Sequence, residues 1–224
     1  MVQIPPVSSP ATLDEARRLQ ADLASRVELT DAPGGLPTVV TGLDVSYRVG
    51  SDDVVAAAVV IDIASGEIIE HQVVRGTVTF PYTPGLLAFR EIPMLLEALR
   101  GLRTDPGLLL CDGQGIAHPR RCGLASHLGV LLDLPAVGCA KRRFIGTHDE
   151  PGQRRGDRAA LVDGTERIGS VLRTQDGVAP VFVSPGHRID HEAACELVLA
   201  AAPRYRLPDP VRHADRLSRA ALVG

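Results

Sequence analysis

Aromatic residues make up only 3% of this 224-residue chain, and Trp is absent. The core must therefore rest on Val, Leu, Ile and Ala. No apolar run approaches the ~20 residues that a bilayer-spanning helix needs, so a soluble protein with no membrane partner is expected. Met1 to Pro10 has neither a basic segment nor an apolar one after it, and so reads as no secretory signal. Cysteine is scarce, and Cys111, Cys122, Cys139 and Cys195 lack CxxC spacing. That disfavours a zinc site and a disulfide framework and favours reduced thiols in the cytoplasm. Strong charge of one sign is also missing, the net being -3. This argues weakly against a nonspecific nucleic-acid coat protein. It does not exclude a nuclease, whose catalytic carboxylates add negative charge that a bound cation cancels.

Hydrophobic residues at 45% and charged residues at 23% describe an ordinary globular chain. With no internal repeat and no linker, one domain over residues 1–224 is expected. Thr12-Leu13-Asp14-Glu15 has capping-box form and predicts a helix to about Val27, with Ala16, Leu19, Leu23 and Val27 on one stripe. Ala32-Pro33-Gly34-Gly35 breaks the chain before three β-rich runs, Thr38–Tyr47, Val54–Ile63 and Glu67–Val74. Pro81 to Gly85 reads as a rigid loop. A helical stretch begins near Leu86, and Pro93 is expected to restart it as a helix reaching about Leu102. Gly107–Cys111 is wholly apolar, which suits a strand buried on both faces. A Gly-rich loop, the helix Leu124–Leu132 and a strand at Pro135–Cys139 follow. The polar stretch from Gly146 to Gly164 reads as an exposed loop. Ile168–Arg173 and Ala179–Ser184 read as a last strand pair, and Asp190–Ala201 and Asp209 to about Leu222 as helices. The order predicts an α/β fold with a mixed central sheet.

Four acids stand where a carboxylate is costly. Asp44 lies between Leu43 and Val45 in a strand, Asp112 ends the apolar strand, Glu91 precedes Pro93, and Asp215 lies inside the last helix. Taken singly, each also fits a solvated or Arg-paired carboxylate. Taken together, they suggest oxygen ligands for Mg²⁺ or Mn²⁺. The loop Asp112-Gly113-Gln114-Gly115-Ile116-Ala117-His118-Pro119-Arg120 adds glycines that permit backbone approach to a phosphate, and His118, which can act as acid, base or phosphate ligand. It matches neither GxGxxG nor GxxxxGK[ST], which disfavours dinucleotide and nucleoside-triphosphate sites. Tyr82, between Pro81 and Pro84, is either a rigid wedge for a base stack or a ring packed on its own domain. Basic residues gather in the middle third, at Arg120-Arg121, Lys141-Arg142-Arg143 and Arg154-Arg155 with Arg158, as solvated loop tips or as a phosphate track.

These segments together resemble the endonuclease V family, the deoxyinosine-specific repair nucleases. The matching blocks are Thr41 to Ser46, Thr79 to Glu91, Cys111 to Arg120, Gly123 to His127, Val137 to Lys141, Phe182 to His187 and Arg206 to Pro210, in the family's order. The resemblance implies a ribonuclease H-like mixed sheet flanked by helices. It implies a Mg²⁺ site on Asp44 and Asp112 with Glu91 close by, Mn²⁺ being able to substitute, and Asp215 as the acid from the last helix. His213 does not occupy the matching position. Tyr82 matches the family's wedge Tyr, with Thr83 where the family has an aliphatic residue. Gly113, Gln114, Gly115 and Ile116 match the loop that forms the base pocket, and His118 and Lys141 match positions near the scissile phosphate and lesion.

The implied reaction is metal-assisted hydrolysis of DNA containing deoxyinosine or other deaminated bases, by an expected monomer. The cut falls at the second phosphodiester bond 3′ of the lesion and leaves 3′-hydroxyl and 5′-phosphate. An extruded base is implied, and a mispaired base costs less to extrude. Inosine-containing RNA is the alternative substrate, with a 2′-hydroxyl contact deciding. A lesion-binding protein without catalysis is opposed by the presence of all four acids. A nucleotide phosphatase would have no use for the Pro-Tyr-Thr-Pro segment.

Overall fold

The structure is a computed structural model that describes residues 4–5, 9–30 and 35–223. Its elements run α1 (Leu13–Ser25), β1 (Val39–Tyr47), β2 (Asp53–Asp62), β3 (Glu67–Thr77), α2 (Ala88–Arg100), β4 (Leu108–Cys111) and α3 (Leu124–Leu132). Then come β5 (Ala136–Ala140), β6 (Arg158–Asp163), β7 (Glu166–Leu172), β8 (Val181–His187), α4 (His191–Ala201) and α5 (Asp209–Val223). The expected break at residues 32–34 lies outside the described residues. Among the described residues, no helix is long and apolar enough to cross a membrane.

All strands join one mixed sheet in the order β3-β2-β1-β4-β5-β8-β7-β6. The pairs β1–β4 and β4–β5 are parallel, and the others are antiparallel. The N-terminus of α1 is fixed as its sequence predicts. Thr12 Oγ1 accepts from Glu15 N at 3.2 Å, and Glu15 Oε2 accepts from Ala11 N at 2.9 Å.

Two elements correct the sequence reading. Pro93 does not restart a helix: α2 begins at Ala88 and carries Pro93 inside it. A proline in this place removes one helical hydrogen bond. Burial of Ile92, Leu95, Leu96 and Leu99 against the sheet outweighs that loss. The stretch from Gly146 to Gly164 is not all loop. It holds β6, which pairs with β7, and Thr147 bridges to Val162. Only Leu161 of β6 is fully buried, so the strand carries no alternating signal to read.

The sheet separates two cores, as side chains that alternate along each strand require. On one face Leu43, Ala56, Ala58, Leu109 and Ala136 meet Ile92 and Leu95 of α2 and Leu128 of α3. On the other face Val40, Leu108, Leu110 and Val137 meet Leu197 and Val198 of α4 and Val211 of α5. Gly42 decides how closely α5 can lie. A Cβ added there would fall 2.1 Å from the carbonyl carbon of Pro210. The missing side chain thus lets the start of α5 rest directly on β1.

Gly42→Ala should therefore push α5 off the sheet. Overpacking of this kind typically costs about 1–3 kcal/mol. The expected result in thermal unfolding is a lowered Tm, and an unchanged Tm would show that α5 does not depend on this contact.

Candidate active site

The parallel register of β1 and β4 pairs Leu43 with Cys111. The next residues, Asp44 within β1 and Asp112 just past the end of β4, therefore lie side by side. α5, resting on Gly42, brings Asp215 to the same point. One carboxylate oxygen from each of Asp44, Asp112 and Asp215 lies within 4.8 Å of the others. The structure thus brings together Asp44 and Asp112, expected as a pair from the sequence, and Asp215, expected as the acid from the last helix. His213, two residues earlier on the same helix, is outside this set.

Asp44 is 7% exposed. Burial pushes its pKa up to about 6, the charges of Asp112 and Asp215 add to the rise, and a hydrogen bond from Ser218 opposes it. Ser218 Oγ donates to Asp44 Oδ2 at 2.6 Å, and Ser46 Oγ lies 2.8 Å from Ser218 Oγ. Glu91 stands beside the trio, at the start of α2. Burial pushes its carboxyl up to about 8; Tyr47 opposes this, while Asp44 and Asp112 reinforce it. Tyr47 Oη donates to Glu91 Oε1 at 3.1 Å. Lys141, just past β5, sets its Nζ 2.5 Å from Asp112 Oδ2. Burial works against the ammonium, but pairing with Asp112 outweighs it and holds the Lys141 pKa above its ordinary value. Three convergent hard-oxygen donors, partly desolvated and mutually repelling, suit a divalent cation such as Mg²⁺ or Mn²⁺.

Next to the acids lies a cleft of about 540 Å³, bordered by Tyr82, Gly85, Leu87, Glu91, Asp112, Gly113, Gln114 and Phe144. Tyr82 stands at its edge with 70% of its surface exposed. It does not pack into its own domain. Gln114 donates from Nε2 to Arg142 O at 3.2 Å, while its buried Oε1 has no partner among the described residues. Gly115 and Ile116 turn away from the cleft. Gly115 N donates to Ser184 Oγ at 2.7 Å, and Ile116 N donates to Pro185 O at 2.8 Å. A Cβ on Gly115 would fall 2.0 Å from Pro185 O, so packing against β8 requires this glycine.

The Tyr82 loop is tied down through one carbonyl. Gly85 O accepts from Gln20 Nε2 at 3.0 Å and Arg120 Nη2 at 2.7 Å, and it lies 3.0 Å from His118 Nε2. His118 Nδ1 accepts from Arg120 N at 3.2 Å. Both ring nitrogens are thus engaged in the way a neutral imidazole allows. Burial, with Arg120 adding to it, lowers the His118 pKa to about 4. At neutral pH the ring is an uncharged tie on the cleft wall.

The basic residues of the middle third divide. Arg121 pairs with Asp163 and Glu166, Arg158 pairs with Glu192, and Arg155 caps the carbonyls of Thr174, Leu199 and Ala202. Arg142 and Arg143 line the cleft. Sequence reasoning passed over Gln20, Tyr47, Phe144 and Ser218. Ser218 and Asp44 are 174 positions apart, and no local pattern links them. A signal for Phe144 was present, as an aromatic directly after three cations in a chain with few rings.

The description "Endonuclease V" belongs to the family whose model matches residues 21–216. An endonuclease V of Streptomyces avermitilis is 53% identical over 219 residues, covering 97% of this chain and 95% of the relative. A crystal structure of the endonuclease V from that organism superimposes with a TM-score of 0.92 at 52% identity, covering 97% and 96% of the two chains. The endonuclease V of Ciona intestinalis, in complex with a 24mer DNA containing an inosine followed by a ribo-adenosine, has a TM-score of 0.84 at 29% identity, covering 94% and 98%. The mixed sheet with helices on both faces is thus the ribonuclease H-like architecture of these structures. With a family match along nearly its whole length, and with the acid cluster and cleft that a metal-dependent nuclease needs, the chain belongs to the endonuclease V family.

Proposed function

We propose that this protein nicks DNA at the second phosphodiester bond 3′ of a deoxyinosine, leaving 3′-hydroxyl and 5′-phosphate ends, with magnesium as its ion. The observation that carries this reading is the placement of the three-carboxylate cluster beside a cleft with an exposed Tyr82 at its edge. Asp44, Asp112 and Asp215 would hold the ion, which polarises the phosphate and makes water more acidic. Water attacks phosphorus, and the bond to the 3′ oxygen breaks.

The chain's own groups orient this reaction. Ser218 and Ser46 fix the Asp44 carboxylate. Lys141 places its ammonium at the cluster, where it can hold a phosphate oxygen as a point charge. Tyr82 fills the gap that the extruded base leaves, and the cleft receives the base. Gln114 borders the cleft, and its Oε1, without a partner among the described residues, would supply an acceptor once the side chain turns toward the base. Hypoxanthine carries a hydrogen on N1, whereas N1 of adenine is itself an acceptor, so this atom favours the deaminated base. His118 acts through the loop it ties and not as an acid. The four cysteines are unpaired and buried, which suits a reducing cytoplasm. Inosine-containing RNA is a second reading, favoured by the ribonucleotide that follows inosine in the Ciona complex.

Paired duplexes with and without one deoxyinosine, incubated in Mg²⁺ or in EDTA, test the function. Cleavage is expected only with inosine and Mg²⁺ together. Equal cleavage of both duplexes would overturn the lesion reading, and cleavage in EDTA would overturn the metal reading.

Asp44→Asn should abolish cleavage while stabilising the metal-free protein. The folded-state pKa of Asp44 is raised to about 6, so its contribution is fully present below the unfolded value and is lost as pH rises through 6. Asn does not suffer that loss. In EDTA at pH 8 the variant should gain up to about 3 kcal/mol, and at pH 4 little of that gain should remain. Denaturant titrations at the two pH values check the sign. A variant less stable than wild type at pH 8, or one that still turns over in Mg²⁺, would remove Asp44 from the site.

Tyr82→Ala should weaken inosine-duplex binding by ~1–3 kcal/mol and bring it toward the affinity for undamaged duplex. Equal affinities before and after substitution would leave Tyr82 without a wedge role.

A further inference from the structure

A second cleft, of about 570 Å³, adjoins the acid cluster on the side away from Tyr82. The two clefts share no residue, and the cluster stands between them: Asp112 and Glu91 border the first, Asp215 and Lys141 the second. From Lys141 the second cleft continues past Tyr205, Arg206, Arg212 and Arg216. Its lining thus holds four cations and one acid, Asp215. The nuclease reading assigns nothing to it beyond Lys141 and Asp215.

The cations are held in different ways. Arg206 Nη2 donates to Lys141 O at 2.8 Å and to Pro180 O at 2.9 Å, while its buried Nε has no partner among the described residues. Arg212 lies flat on Tyr205, with its guanidinium carbon 3.6 Å from the ring centre, and Asp209 Oδ1 holds its Nη1 at 2.8 Å. Ring and guanidinium therefore form one rigid platform, with Tyr205 51% exposed. Arg216 is exposed and makes no ion pair among the described residues. Its Nη2 lies 3.3 Å from His213 Nδ1. Fixed guanidinium groups beside an exposed ring suit a phosphodiester chain and its bases.

Covalent continuity gives the direction. If the lesion occupies the first cleft and the scissile phosphate lies at the acids, the strand beyond the cut must leave on the far side. We propose that the cleft of Tyr205, Arg206, Arg212 and Arg216 binds the nucleic-acid strand 3′ of the cut, where the new 5′-phosphate end forms. Arg212 and Arg216 contact its phosphates, and Tyr205 stacks a base or sugar. The proposal rests on the endonuclease reading and gives the protein a grip on the strand that does not involve the lesion.

The test compares single-stranded oligonucleotides with one deoxyinosine and the same 5′ flank, ending either one nucleotide or eight nucleotides beyond the cut. Affinity is measured by fluorescence anisotropy in EDTA, and cleavage separately in Mg²⁺. Wild type should bind the longer strand about ten-fold more tightly, and Arg212→Ala with Arg216→Ala should shrink that preference to about two-fold or less and flatten the log affinity against log salt slope by about one to two. Arg216→Glu alone, at an exposed position, should act in the same direction and guards against misfolding of the double variant. In cleavage, the preference should appear in KM and not in kcat. Equal wild-type affinity for the two lengths would overturn the proposal, as would a preference and salt slope unchanged in both variants. A wild type that cuts neither strand would count against the nuclease reading, while the binding comparison would still decide whether this cleft holds the strand.

Discussion

The contact between Gly42 and the start of α5 is the constraint on which the site depends. Asp44 and Asp112 become neighbours through the register of two parallel strands, which the sheet itself enforces. Asp215 reaches them only because α5 can settle on β1 where a side chain is missing. The same approach brings Ser218 to Asp44, so one absent Cβ supports both a third carboxylate and the hydroxyl that orients the first. An acid cluster gathered from residues 44, 112 and 215 is in this sense a packing problem before it is a chemical one.

Gathering these acids works against folding. Burial and the neighbouring carboxylates favour the protonated forms of Asp44 and Glu91, and the positive charges in direct contact with the trio are Lys141 on Asp112 and Arg219 on Asp215, on its outer side. The site therefore suits a cation both chemically and structurally. Glu91 differs in kind: it sits deeper, is held by Tyr47, and carries the more strongly raised pKa. The four acids are not equivalent, although the sequence shows all of them simply as carboxylates in apolar surroundings.

Much of this was legible from the residues. Asp44 and Asp112 could be paired because each sits in or ends an apolar strand, and burial of a lone carboxylate is costly enough to be informative. The strand and helix order followed from periodicity and turn residues. Pro93 misled because its local preference was outweighed by an apolar face that the sheet covers. β6 was missed because only Leu161 points into a core. The glycines of residues 113–115 look alike in sequence, yet Gly113 borders the cleft while Gly115 serves packing on β8. His118 looked chemically active because histidine usually titrates near neutrality. Its neutrality comes from burial, with the charge of Arg120 adding to it against the hydrogen bond to Gly85, and that Gly85 partner lies more than thirty positions away. Long-range partners were what one-dimensional reading could not supply.

If Tyr82 probes the duplex as proposed, the Gly85 carbonyl, gripped from α1 and from the loop after β4, has a consequence for how damage is sought. Those hydrogen bonds set the shape of the Tyr82 loop during folding, before any nucleic acid arrives. A loop that had to order itself around each base pair would spend conformational entropy at every encounter. A loop already shaped meets sound and damaged duplex in the same geometry. Discrimination can then fall on the duplex itself, on how readily each pair opens against a fixed probe.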